Sequence, residues 1–261
     1  MRSIVPIACL LAAAVVFPAA PAAAAGRTAE PAAAVPSWST GSTGSTAAFA
    51  ASTAGRAPYC ARVKCIALTF DDGPGRYTAR SLDILRAHRA KATFFLVGRQ
   101  VEKYPALARR MVREGHVVGD HTATHPRLTA LSDTQIRAQL RDAQDVITRA
   151  TGRTPDLMRP PYGDTDARVA SVAAEFGLSQ ILWNGSSRDW ELRDTRAITR
   201  KVTGLARRDG VILMHDVWPE TVAAMPAILR NLKKRGYHLV PVTALLRDRP
   251  LGAGETYPPR R

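Results

Sequence analysis

The chain has 261 residues, 46% of them hydrophobic and 23% charged, with 18 glycines and 18 prolines. This is the balance of a folded soluble protein, and it excludes a collagen-like chain, a long coiled coil and a wholly disordered chain. A formal charge of +15 attracts polyanions, whether nucleic acid, anionic lipid or an acidic cell-wall polymer, without choosing among them.

Residues 1–25 read as an export signal. Arg2 precedes an apolar run over 4–17, and the alanines at 22–25 suit a signal-peptidase cut after Ala25. Pro6 interrupts that run and Pro18 ends it, which keeps it short of the ~20 apolar residues that span a bilayer. Residues 26–58 are mostly Ala, Ser, Thr, Gly and Pro, with no hydrophobic period, and are expected to form a flexible linker. Of the three cysteines, Cys9 lies in the leader as a passive apolar residue. Cys60 and Cys65 then form an even pair, which in an exported chain reads as a disulfide. Residues 59–247 are the expected folded domain, and 248–261 are expected to be a disordered tail.

Inside that domain, apolar strand-like runs alternate with amphipathic helical stretches. CIALTF leads into ARSLDILRAHR, KATFFLVG into VEKYPALARRMVREG, and HVVGDH into a long helix starting at SDTQ. DLMRPP is followed by DARVASVAAEFG, QILWNG by DTRAITRKVTGLARR, VILMHD by ETVAAMPAILRNLKKRG, and YHLVPV by TALL. Seven such units predict an α/β fold with a parallel sheet, either a barrel or an open doubly wound sheet. No GxGxxG or GxxxxGK[ST] follows any of the runs, which speaks against a nucleotide-binding open sheet. Glycines 115, 152, 177, 210 and 236 stand where helix C-caps are expected.

Polar residues collect at the carboxyl ends of the predicted strands, the face that carries chemistry in βα barrels. Asp71 and Asp72 follow the first strand, His121 and His125 the third, Arg159 the fourth, Asp189 and Trp190 the fifth, and His215 the sixth. Neighbouring aspartates leaving a strand point apart and so suit different tasks. His121 and His125, with Asp72, make a two-histidine, one-carboxylate set suited to zinc, although non-haem iron uses the same ligands. Arg159 is placed to hold a carboxylate ionised through a charge-assisted hydrogen bond.

Five motifs occur in order: TFDDGP at 69–74, HTATH at 121–125, RPPYG at 159–163, Asp189-Trp190, and LMH at 213–215. With this set the chain resembles the polysaccharide deacetylases, the nodulation-protein B homology group also called carbohydrate esterase family 4. The resemblance implies a distorted (β/α)7-8 barrel in a single catalytic domain. It implies Asp72, His121 and His125 as metal ligands, with zinc expected and cobalt as its substitute. It also implies Asp71 as general base tuned by Arg159, and His215 as general acid oriented by Asp189. The Tyr162 backbone N–H would bind an oxyanion, while Trp190 and Leu213 would receive the acetyl methyl. Family members often carry another acid three residues before the Asp-Trp pair; here that position is Ser186.

The expected function is that of a secreted, monomeric, metal-dependent enzyme removing acetyl groups from N-acetylglucosamine units of chitin, chitooligosaccharides or peptidoglycan. An anionic cell-wall polymer is a further expected partner. The alternatives are an O-deacetylase of acetylated xylan on the same fold, and a carbohydrate-binding barrel without catalysis. Nucleic acid is not an expected partner, because no basic stripe is interleaved with aromatics.

Overall fold

The computed structural model describes residues 59–259; the export-signal and linker expectations lie outside the described residues. The chain opens with β1 (Cys65–Gly73), α1 (Thr78–Ala87) and β2 (Thr93–Leu96). Next come α2 (Gly98–Lys103), α3 (Pro105–Arg113), β3 (Val117–Asp120), α4 (Asp133–Thr151) and β4 (Leu157–Met158). It continues through α5 (Ala167–Glu175), β5 (Ser179–Ile181), β6 (Gly185–Ser186), α6 (Asp189–Leu192) and α7 (Thr195–Leu205). It ends with β7 (Gly210–His215), α8 (Pro219–Lys234), β8 (His238–Leu239), α9 (Val242–Leu245) and β9 (Thr256–Tyr257).

All seven predicted strands form, and every strand pairing is parallel. The order across the sheet is β6-β7-β1-β2-β3-β4-β5-β9, with β8 paired to the start of β1. This is a half-barrel sheet surrounded by helices, as a distorted barrel requires. Among the described residues no strand pairing joins β9 to β6, so the ladder stays open there.

The helical stretch predicted over 101–115 is divided where Pro105 starts α3, because proline lacks the N–H that would continue α2. Ser132 and Gln135 close a reciprocal capping box on α4. Four of the predicted cap glycines take the left-handed backbone conformation, but Gly210 does not. It opens β7, and Asp209 makes the left-handed turn in its place.

The tail expectation is corrected. Residues 248–259 are not a frayed end, since Thr256–Tyr257 pairs with β5, and the Gln180 and Leu182 N–H groups donate to Glu255 and Tyr257 carbonyls, both at 2.7 Å. Cys60 and Cys65 are joined in a disulfide, with 5.4 Å between their Cα atoms. The largest core cluster packs β1, β2 and β7 residues such as Phe70, Phe94 and Ile212 against Leu82, Ile228 and Leu232 from the helices. Phe70 and Phe94 stack at 5.2 Å between ring centroids. Burying each such ring contributes about 2–3 kcal/mol, and the packing holds the sheet whose upper rim carries the polar residues. No described helix is long and apolar enough to cross a membrane.

Candidate active site

Strand register brings the motifs together. Asp71 on β1 lies directly across from His215 on β7, while Asp120 at the end of β3 pairs with Met158 on β4, placing His121 and Arg159 side by side. Every residue expected to act in catalysis, metal binding or substrate contact is drawn to one mouth or to the buried polar layer beneath it.

Arg159 organises the buried layer. Its guanidinium has no exposed surface. It donates to the Ile181 carbonyl at 2.8 Å, the Leu182 carbonyl at 2.9 Å, Thr69 Oγ1 at 2.7 Å and Asp71 Oδ1 at 2.8 Å. These bonds span the interior from β1 to β5, and the guanidinium lies 4.3 Å over the Phe95 ring. Burial pushes the Asp71 carboxyl above its ordinary range, against the pull of Arg159 and His215. Arg159 is therefore the expected partner of Asp71, but its pull does not overcome desolvation. The outcome is a more basic carboxylate.

Asp72, His121 and His125 each offer one ligand atom, all within 4.8 Å of one another. Asp72 and His125 take positive φ, 69° and 67°, a conformation non-glycine residues rarely adopt, and both turns aim their side chains at the cluster. Asp72 Oδ1 lies 3.2 Å from His125 Nε2 and 3.6 Å from His121 Nε2. His121 Nδ1 sits 2.6 Å from the Arg159 carbonyl, and since a carbonyl only accepts, that nitrogen carries the proton. Burial also lowers the His121 imidazole to about 3, leaving Nε2 as a bare lone pair.

A lone pair therefore faces a buried carboxylate oxygen, Asp72 Oδ1, that takes no hydrogen bond. Two facing acceptors repel, and a cation between them removes the conflict. The donor set fits a divalent metal, and the carbonyl that fixes the His121 tautomer is the outer-shell support such ligands use.

On the other side of the cluster, His215 Nδ1 donates to Asp189 Oδ1 at 2.8 Å. Asp189 is buried and also accepts the His215 backbone N–H at 2.7 Å and the Thr221 hydroxyl at 2.8 Å. Burial pulls the imidazole down, but the Asp189 hydrogen bond and charge, with Asp71 and Asp72, outweigh it and push His215 up to about 9. Its Nε2 is turned to the site, 3.9 Å from Asp72 Oδ2.

These groups line a cavity of about 310 Å³. Tyr162 takes φ +61°, and its backbone N–H makes no hydrogen bond among the described residues, so it is free to act as a donor. Its exposed ring lies edge-on to His125 at 4.7 Å. Trp190, half exposed, packs edge-on to His215 at 5.2 Å, and Leu213 completes that wall. Ser186 does not line the cavity; its hydroxyl accepts the Arg188 N–H at 3.3 Å.

Four contributors escaped the sequence reading. Trp183 and Trp218 line the mouth, Thr69 braces Arg159, and Thr221 braces Asp189. An aromatic just beyond a strand end was the available signal for the tryptophans. The threonines had none, because their partners are 90 and 32 residues away.

A parallel half-barrel that gathers acid–base groups around an Asp/His/His cluster at its carboxyl-terminal rim places them on the face where βα barrels carry their active sites. The sequence model of the polysaccharide deacetylase family matches residues 59–181. The peptidoglycan-N-acetylglucosamine deacetylase PgdA of Listeria monocytogenes is 40% identical over 195 residues, which are 74% of this chain and 41% of that protein. A peptidoglycan-N-acetylglucosamine deacetylase of Bacillus cereus is 37% identical over 70% of this chain and 89% of its own. The chitooligosaccharide deacetylase of a Bradyrhizobium strain is 34% identical over 70% and 90%.

Among solved structures, the T48 deacetylase with substrate superposes with a TM-score of 0.74 at 37% identity, covering 77% of this chain and all of that one. A CE4 family pseudoenzyme from Bacillus anthracis superposes with a TM-score of 0.67 at 32% identity, covering 71% and 66%. The chain belongs to the polysaccharide deacetylase family.

Proposed function

We propose that this protein is an exported, metal-dependent N-deacetylase of N-acetylglucosamine units in peptidoglycan or chitooligosaccharides. One observation carries the reading: a buried carboxylate shifted upward and an imidazole held protonated flank a single Asp/His/His cluster. Because the family includes a pseudoenzyme, membership alone does not secure catalysis; here every position of the acid–base set is filled. The relatives named above act on peptidoglycan or chitooligosaccharides, whose shared unit is N-acetylglucosamine. The leader over 1–25 supports export.

A zinc ion held by Asp72, His121 and His125 would supply Lewis-acid polarisation and a lowered water pKa. Asp71 takes a proton from the water that attacks the acetyl carbonyl. The Tyr162 N–H then donates to the developing oxyanion, a kind of contact worth about 3 kcal/mol in other enzymes. His215 delivers its Nε2 proton to the amide nitrogen as the C–N bond breaks, releasing acetate and a free amine. Positioned acids of this kind contribute about 10²–10⁴-fold. Asp189 keeps the imidazole charged and aimed, while Trp190 and Leu213 shelter the acetyl methyl from water.

The test is acetate release from peptidoglycan, chitooligosaccharides and acetylxylan, with chelator and after restoring zinc or cobalt. Chelator-sensitive release from the first two is expected. Release from acetylxylan alone would make the protein an O-deacetylase, and none from metal-replete protein would leave a binding barrel.

A further inference from the structure

A second concavity, of about 650 Å³, lies at the opposite end of the barrel from the mouth, and Arg89, Lys91, Lys233 and His238 line it. Lys91 lies two residues before β2 and His238 is the first residue of β8, which pairs with the first residues of β1. The cleft therefore opens on the amino-terminal face.

Lys64 and Arg235 extend it, their charges 5.1 and 5.5 Å from the ring of Tyr237, which also lines the cleft. No carboxylate lines it, and none of these six residues forms an ion pair among the described residues. Glu114, the acid beside the lining Gly115, is paired with Arg110 at 2.6 Å.

Two backbone contacts preorganise the cations. Lys91 and Lys233 each donate to a backbone carbonyl, of Glu114 and of His88, which holds the ammonium in place and leaves further N–H groups free. Burial, and after it the charges of Lys233 and Arg230, hold the His88 imidazole nearby below its ordinary range.

We propose that this cleft is a binding site for a phosphodiester-linked polyanion, of the chemistry of poly(glycerol phosphate), separate from the deacetylase site. Several cations converging in one concavity with no paired acid favour a chain of spaced phosphates over a lone anion. Tyr237, Leu239 and Val240 line its floor but are buried, so no exposed aromatic or large aliphatic side chain stands out as a base-stacking platform or as an apolar wedge for a bilayer. Bound at this end, the protein would leave its mouth free to meet glycan.

The experiment measures binding of the full chain to poly(glycerol phosphate) across a salt series, for wild type and two triple variants of equal charge change. Arg89→Asn/Lys91→Gln/Lys233→Gln removes the cleft charges, keeps side-chain donors at the two carbonyls, and gives position 89, with φ +46°, a residue that tolerates it. Arg80→Gln/Arg99→Gln/Arg196→Gln removes three exposed charges at the helix starts on the mouth side.

The cleft variant should lose about tenfold in affinity near 0.1 M salt and show a shallower salt dependence, while the control variant stays within about threefold of wild type. Arg89→Asn alone should move in the same direction by less; its side chain holds no hydrogen bond or ion pair among the described residues, so folding is not at issue. Acetate release from a soluble chitooligosaccharide, scored separately, should be unchanged in the cleft variant. Equal losses in both triple variants, wild-type binding by the cleft variant, or equal cleft-dependent binding of duplex DNA or anionic vesicles would overturn the proposal.

Discussion

Two histidines at opposite ends of the sheet show how this chain makes one imidazole an acid and leaves another inert. His116, just before β3 at the amino-terminal end, is 5% exposed, and its Nδ1 accepts the Ala92 N–H at 3.1 Å. Burial, reinforced by Lys91, pulls it down to about 4. His215, at the carboxyl end of β7, is half-buried at the cavity wall; burial lowers it too, but Asp189 at 2.8 Å, with the charges of Asp71 and Asp72, raises it to about 9. Desolvation alone neutralises an imidazole; a hydrogen-bonded carboxylate, backed by the charges of Asp71 and Asp72, reverses the sign. The reactive histidine is therefore the one whose second nitrogen meets a carboxylate, and the structural one is an acceptor for a backbone amide.

The largest expected effect breaks the catalytic end outright. Asp72→Ala should abolish metal retention measured by equilibrium dialysis. Asp71→Asn should retain the metal and lose about 10²–10⁴-fold in kcat. Equal metal loss in both variants would mean the two aspartates have been given the wrong roles.

A smaller effect sharpens the acid's side of the comparison. Asp189→Asn removes the charge that lifts His215, so the alkaline limb of kcat/KM, where the acid loses its proton, should move down by about one pH unit or more. His215→Gln should slow amide hydrolysis far more than hydrolysis of an acetyl ester, whose leaving group needs little protonation. An unmoved limb in Asp189→Asn would show that another group is the acid.

The smallest effect is on stability. His116 has a folded value near 4 against 6.5 unfolded, so the unfolded chain binds more protons between them, and stability falls as pH drops through that window, by up to about 3 kcal/mol. Gln at 116 can still accept the Ala92 N–H but does not titrate, so denaturant unfolding of His116→Gln should lose less stability from pH 6.5 to 4 than wild type. The difference between the two proteins isolates the imidazole from buried Asp120 and Asp216, which are raised to about 8 and about 6 and act in the opposite sense. Parallel curves would assign the acid sensitivity elsewhere.

Much of this was legible beforehand because parallel βα units place every strand's carboxyl end on one face, so reading which residues follow each apolar run amounts to reading the mouth. Asp71, Asp72, His121, His125, Arg159, Asp189 and His215 were all found that way. The tail was misread: its prolines and glycines resemble a frayed end, yet Tyr257 finds an open sheet edge beside β5 that local composition does not announce. The upward shift of Asp71 was also not predictable. The sequence supplies the opposing arginine but not the depth of burial that outweighs it.

What the sequence alone determined was the alternation of strand and helix and the chemical identity of the groups at the strand ends, both consequences of short-range pattern. Tertiary structure decided their states: the His121 tautomer through the Arg159 carbonyl, the span of Arg159 from Thr69 to Leu182, and the tryptophan wall of Trp183 and Trp218. Protonation and orientation depend on desolvation and on hydrogen-bond partners tens of residues away, and only the folded chain brings those within reach.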